Sequence, residues 1–119
     1  MTKTLNKQYD LEERTEKFAK DAIRLCKKIS KNTINIELIK QLVRASGSVG
    51  ANYIEANEAL SKKDFSHRIK ICRKEAKESR YWLNLLTSAN SDDQEQTKIL
   101  VKEATELMNI FGAILRKSL

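Results

Sequence analysis

The sequence predicts an all-α protein, an antiparallel up-down four-helix bundle, and three observations carry that prediction. Apolar residues recur at helical intervals through four successive stretches. The 119 residues include no Pro and three Gly, and 33% are charged, a composition suited to a few long helices. The intervals between periodic stretches are only a few residues long, so neighbouring helices must run antiparallel. We read one domain over residues 1–119, with helices at about 10–30, 36–60, 62–88 and 92–117. That length buries a core without disulfide or metal staples.

The first helix has its seam in Leu11, Thr15, Phe18, Ala22, Leu25 and Ile29. Acids stand in its early turns and Arg24, Lys27 and Lys28 in its last, which complements the helix dipole. Asn35 reads as the N-cap of the second helix. There Leu42, Ser46, Val49, Tyr53, Ala56 and Leu60 advance by 4, 3, 4, 3 and 4. Ser61-Lys-Lys-Asp64 is a capping-box-like start for the third helix. Its seam is Phe65, Ile69, Cys72, Ala76, Ser79, Leu83 and Leu86. Ser91-Asp-Asp-Gln94 is a second such box, followed by Leu100, Ala104, Leu107, Phe111 and Ile114.

Beside the seams of the middle two helices runs a polar line. Gln41, Arg44, Ser48, Asn52 and Glu55 share one face of the second helix; Ile71, Glu75, Glu78, Trp82 and Leu85 share one face of the third. With the hairpin turn centred near residue 62, positions summing to about 124 lie at one height. Arg44 then falls within a turn of Glu78, and Ser48 and Asn52 fall beside Glu75. A network of Arg44, Ser48, Asn52, Glu55, Glu75 and Glu78, with Trp82 at its edge, is the expectation. Gly47 and Gly50 form small-residue pairs with Ala51 and Ser46. Such pairs let a second helix approach closely, either within the monomer or from another subunit; Trp82 and Leu85 beside the core favour a subunit interface.

These stretches carry a family resemblance. Ser48-Val-Gly-Ala-Asn-Tyr-Ile-Glu-Ala, Ser61-Lys-Lys-Asp-Phe, Lys74-Glu-Ala-Lys-Glu-Ser and Tyr81-Trp-Leu are similar to the pattern of a bacterial four-helix-bundle family. That family is named after open reading frames in the intervening sequences of 23S ribosomal RNA genes. The likeness covers nearly the whole chain and is densest over residues 44–86. It implies a bundle assembling into a pentameric ring. It also implies kinship with the accessory protein of diversity-generating retroelements, which binds nucleic acid and a reverse transcriptase. By the resemblance, Asn52, Glu55, Asp64, Glu75 and Glu78 fall on motif positions.

The net charge of +7 is unevenly placed. Residues 1–34 carry +4, residues 35–60 carry −1, residues 61–80 carry +5 and residues 81–119 carry −1. Lys63, His67, Lys70, Lys74 and Lys77 advance by 4, 3, 4 and 3 opposite the seam of the third helix, with Arg73 and Arg80 beside them and Tyr81 continuing the row. This stripe is either a solvated outer face or a track for a polyanion. Lys63, Lys70, Arg73, Lys74, Lys77 and Arg80 are the candidate nucleic-acid contacts. Arg24, Lys27, Lys28 and Lys31 form a second patch at the opposite end of the bundle.

Catalysis finds little support. The single histidine, His67, sits on the wet face without an orienting partner. Gly47 and Gly50 lie within a helix and lack the Lys-Ser or Lys-Thr of a phosphate loop. A di-metal bundle site needs Glu-x-x-His on two helices, and the sequence has none. Cys26 and Cys72, on different helices, read as reduced core residues of a cytoplasmic protein. No apolar run approaches the roughly 20 residues of a membrane span, and the first residues lack the apolar segment of a secretory signal. The expected function is therefore a non-enzymatic oligomer that binds RNA or DNA, with no catalytic residue, no metal and no cofactor. The alternative is a scaffold docking a protein partner such as a reverse transcriptase.

Overall fold

The computed structural model describes residues 3–90 and 94–118. Helix α1 spans Lys3–Lys28, α2 Thr33–Asn57, α3 Lys62–Ala89 and α4 Gln94–Ser118. The chain runs up and down through these four helices in an all-α bundle 44 Å long. Helix α3 is packed extensively on both flanks, by α2 and by α4, whereas α1 rests mainly on α2 and touches α4 more lightly.

The seams face inward as the periodicity demands. Phe18, Ala22, Leu25, Leu42, Val49, Ile69, Cys72, Ala76, Leu83, Leu100, Ala104, Leu107 and Phe111 are buried in one continuous core. Tyr53 packs its ring at 6.0 Å from Phe111, tilted by 51°. Burial of this apolar surface is the main stabilising term, at roughly 25 cal/mol per Å² removed from water.

The helix ends depart from the sequence reading in instructive ways. Helix α2 is capped by Asn32 rather than Asn35: the Asn32 side chain accepts from the Asn35 backbone N–H at 2.8 Å. Asn35 lies inside the first turn and is buried. Its side-chain amide pairs reciprocally with that of Asn90 at 2.9 and 3.0 Å, and also donates to the Ser30 carbonyl at 2.9 Å. Asn90 closes α3 by donating its side-chain amide to the Leu86 carbonyl at 3.0 Å. Two amides thus clasp the start of α2 to the end of α3.

At the other end of that hairpin, α2 stops at Asn57, so Leu60 leaves the seam and stands 96% exposed in the turn. Ser61 caps α3 as expected, accepting from the Asp64 N–H at 3.1 Å. The box expected at Ser91, Asp92, Asp93 and Gln94 lies, at its first three positions, outside the described residues. Helix α1 ends on a cation: Lys31 donates to the Cys26 and Ile29 carbonyls at 2.9 and 2.8 Å, the former also accepting from the Ile29 N–H at 3.2 Å.

The small-residue pairs differ in burial. Ser46 is buried, and a Cβ on Gly50 would lie 3.0 Å from the Thr15 hydroxyl, so this pair brings α1 against α2. Gly47 and Ala51 face outward, and a Cβ on Gly47 would meet nothing within 4 Å. Val43 and Ile54, on the same outward strip of α2, are 39% and 56% exposed.

Candidate nucleic-acid interface

The outer face of α3 is built by its own packing. Because α2 and α4 occupy both flanks, the strip opposite the seam is the part left to solvent. Lys63, His67, Lys70, Lys74 and Lys77 are all exposed there, and Tyr81 ends the row at 56% exposure. Among the described residues, Lys74 is the one member of the row with a carboxylate in reach, Glu78 at 4.0 Å. The lysines therefore keep their charge toward water.

Arg73 and Arg80 are turned aside from this row. Arg80 is half-buried and donates to the Thr105 hydroxyl of α4 at 3.2 Å. Arg73 reaches across to α4, where its Nε lies 3.7 Å from the place a Gly112 Cβ would take, beside Arg116. A Cβ on Gly112 would touch both guanidinium groups only at ordinary van der Waals distance. Arg80 thus belongs to the α3–α4 seam, whereas Arg73 leans toward α4 but stays exposed.

The polar line on the opposite flank is an ion cluster. Arg44 donates to both oxygens of Glu75 at 3.3 and 3.4 Å and to Glu78 at 3.0 Å, while Gln41 accepts from its Nε at 3.5 Å. The side chain of Glu75 is 10% exposed and that of Arg44 is 48% exposed. Ser48 and Asn52 do not reach Glu75. Ser48 donates to the Arg44 carbonyl at 2.9 Å, and the Asn52 amide donates to the Ser48 carbonyl at 2.9 Å. The Asn52 carbonyl accepts from Arg68 at 3.0 Å. The reason is the early end of α2: Asn52 meets Arg68, at a positional sum of about 120 rather than 124, so its partner shifts by about one turn. Glu55 is exposed and makes no ion pair among the described residues. Trp82 packs half-buried against the core, its ring 5.0 Å from Tyr81 at 72°, and its Nε1–H is buried without an acceptor among the described residues.

Further polar contacts were not visible in the spacing. Arg14 forks onto Glu103 at 2.6 and 2.8 Å and reaches Glu106 at 2.9 Å, joining α1 to α4. The hydrogen bond to Glu103 holds the guanidinium proton even more firmly than usual. Glu12 accepts from Asn57 at 3.0 Å, joining α1 to α2. At the far patch, Arg24 pairs with Asp21 at 2.9 Å and Lys31 is engaged by the end of α1, leaving Lys27 and Lys28 exposed.

The two thiols are buried and free. Burial pushes the Cys72 thiol up to about 12 and the Cys26 thiol upward as well, so both are protonated near neutrality, unsuited to nucleophilic attack. Among the described residues, no group of three His, Cys, Asp or Glu is placed to hold a metal ion. No helix among them is long and apolar enough to cross a membrane.

The model of one family, described as 23S rRNA-intervening sequence protein, matches residues 7–113. The chain belongs to that family. A crystal structure from Bacteroides thetaiotaomicron, of a protein with unknown function from the S23 ribosomal protein family, superposes with a TM-score of 0.83. It is 30% identical, and the match covers 92% of this chain and 98% of that one. No curated protein matches. The family thus accounts for the four-helix fold, and the side chains must argue the function.

Proposed function

We propose that this chain is a non-enzymatic, self-assembling helical protein that binds RNA or DNA through the outer face of α3. The observation that carries this reading is the lysine row. Lys63, Lys70, Lys74 and Lys77 lie exposed on one face, and among the described residues only Lys74 has a carboxylate nearby, at 4.0 Å. Arg73 and Arg80 reinforce the field from the edge of the row. Contacts of this kind neutralise phosphates and release counterions, so they are largely indifferent to sequence and steeply dependent on salt. A ring of copies, which the family resemblance implies is pentameric, repeats the row and multiplies the field.

Binding is expected at micromolar or weaker affinity at physiological salt, with four phosphate contacts giving a log–log salt slope of about −3 to −4. Changing Lys70, Lys74 and Lys77 together to Glu abolishes binding and leaves the helical circular-dichroism spectrum intact. Binding that survives this change removes α3 as the site.

A second reading, a scaffold for a protein partner, is favoured by one specific feature. The outward strip Val43, Gly47, Ala51 and Ile54 is apolar, uncovered and shallow enough for close helix approach. Light scattering separates the occupants. An oligomer that a Gly47→Leu change reduces to monomer assigns the strip to self-assembly; a wild-type monomer leaves it to a different protein.

A further inference from the structure

The row on α3 is one lysine wide. Along the helix axis Lys70, Lys74, Lys77 and Tyr81 follow one another at steps of about 4.5–6 Å, and Lys63 to Lys77 span about 21 Å. On the α2 side the row is bounded by Glu75 and Glu78, held by Arg44. On the α4 side Arg80 is directed to Thr105, and Arg73, exposed, leans away from the row toward Gly112 and Arg116. A duplex presents two phosphate rows across each groove, about 12 Å apart in the major groove and about 6 Å in the minor. A single lysine row meets one of them. Nor can α3 enter a major groove as a free rod, because α2 and α4 pack along both its flanks. The major groove of an RNA duplex is deeper and narrower still.

Tyr81 adds a second, independent constraint. The residue is 56% exposed at the end of the row, about 6 Å of helix rise beyond Lys77. It is also held in place: Trp82 lies 5.0 Å away at 72°, itself packed against the core. A fixed aromatic beside a phosphate track is a stacking platform, and only an unpaired base has a face free to use it.

Resting on the nucleic-acid reading above, we infer that the α3 face is built for a single strand, with phosphates along Lys63, Lys70, Lys74 and Lys77 and one base stacked on Tyr81. The ligand class is single-stranded RNA or DNA, with no demand on sequence beyond stacking strength.

The test uses the full chain with fluorescein-labelled oligothymidine and oligouridine of about 16 nucleotides, and a mixed-sequence DNA duplex of equal length, by anisotropy at low salt. The strands are expected to bind about tenfold more tightly than the duplex. Tyr81→Ala brings that ratio to near one, Tyr81→Phe keeps it, and thermal melts show each variant folded. The emission of Trp82, the only tryptophan, changes saturably on adding strand to the wild type. Equal or tighter binding of the duplex overturns the inference and leaves the lysine row as a general polyanion site. A ratio unmoved by Tyr81→Ala overturns it as well. If neither strand nor duplex binds at low salt, the nucleic-acid reading fails and the inference with it.

Discussion

Arg14 and Arg44 do the same thing in two parts of the bundle: each bridges two glutamates three residues apart on a neighbouring helix. Arg14 of α1 takes Glu103 and Glu106 of α4, and Arg44 of α2 takes Glu75 and Glu78 of α3. By bond length the α1–α4 cluster is the stronger, at 2.6–2.9 Å against 3.0–3.4 Å. Burial reverses the ranking. Glu75 keeps 10% of its side chain in water, whereas Glu103 keeps 25% and Glu106 48%. What an ion pair costs to break is set by the charge left behind, and a carboxylate able to rehydrate is left with little penalty.

The largest effect therefore belongs to Arg44→Ala, which strands Glu75 beneath α2. We expect a loss of about 2–3 kcal/mol, below the roughly 3–5 of a fully buried pair because Arg44 itself is half in water. Urea unfolding should show it as a lower midpoint at unchanged slope. Adding Glu75→Leu to Arg44→Ala should recover most of the loss, because the stranded charge is gone. A double variant as unstable as the single one would mean that Arg44 acts through packing of its methylene stem instead.

That cluster was legible in the sequence, and the other was not, for a geometric reason. Arg44 and Glu78 sit on consecutive helices joined by a short turn, so helical periodicity alone brings them to one height. The error lay in the turn. The seam rhythm continues through Ala56 to Leu60, and no Gly or Pro marks the stop, so α2 read as longer than it is. Arg44 still reached Glu78, but the finer pairing moved, and Asn52 found Arg68 instead of Glu75. Asn32 and Asn35 are both plausible caps by residue type; Asn35 is drawn inside by Asn90, which stands 55 residues away. Arg14 and Glu103 are 89 residues apart with no shared turn to set their register. The lysine row needed no register at all, being a property of one helix. That independence is why the candidate site was readable while the lean of Arg73 and Arg80 toward α4, with Arg80 donating to Thr105, was not.

Arg14→Ala comes second, at about 1 kcal/mol, because water reaches Glu103 and Glu106 once the guanidinium is gone. A double-mutant cycle with Glu103→Ala isolates the pair; a coupling of about 0.5–1 kcal/mol is expected, shrinking in high salt as exposed charges are screened. The Arg44–Glu75 coupling should shrink less. Should Arg14→Ala prove more costly than Arg44→Ala, burial of the stranded carboxylate is not what ranks the two clusters, and α1 is held to α4 mainly by its ions.

The smallest effects test the other attachment of α1, its seam with α2, and they come with opposite signs. Glycine within a helix costs about 1 kcal/mol relative to alanine, so either Gly→Ala change begins with that gain. At Gly47 nothing opposes it, since the added Cβ meets no atom within 4 Å; we expect about 0.5–1 kcal/mol of stabilisation. At Gly50 the added Cβ arrives 3.0 Å from the Thr15 hydroxyl and 3.3 Å from its Cβ. That hydroxyl cannot swing away freely, because it is buried and donates to the Leu11 carbonyl at 2.8 Å. Relief must come from moving α1, so the helix gain is cancelled and a net loss of up to about 1 kcal/mol remains. The two curves should bracket the wild type in one urea titration. If Gly50→Ala stabilises as much as Gly47→Ala, α1 shifts outward without cost, and its contact with α2 is as yielding as its contact with α4.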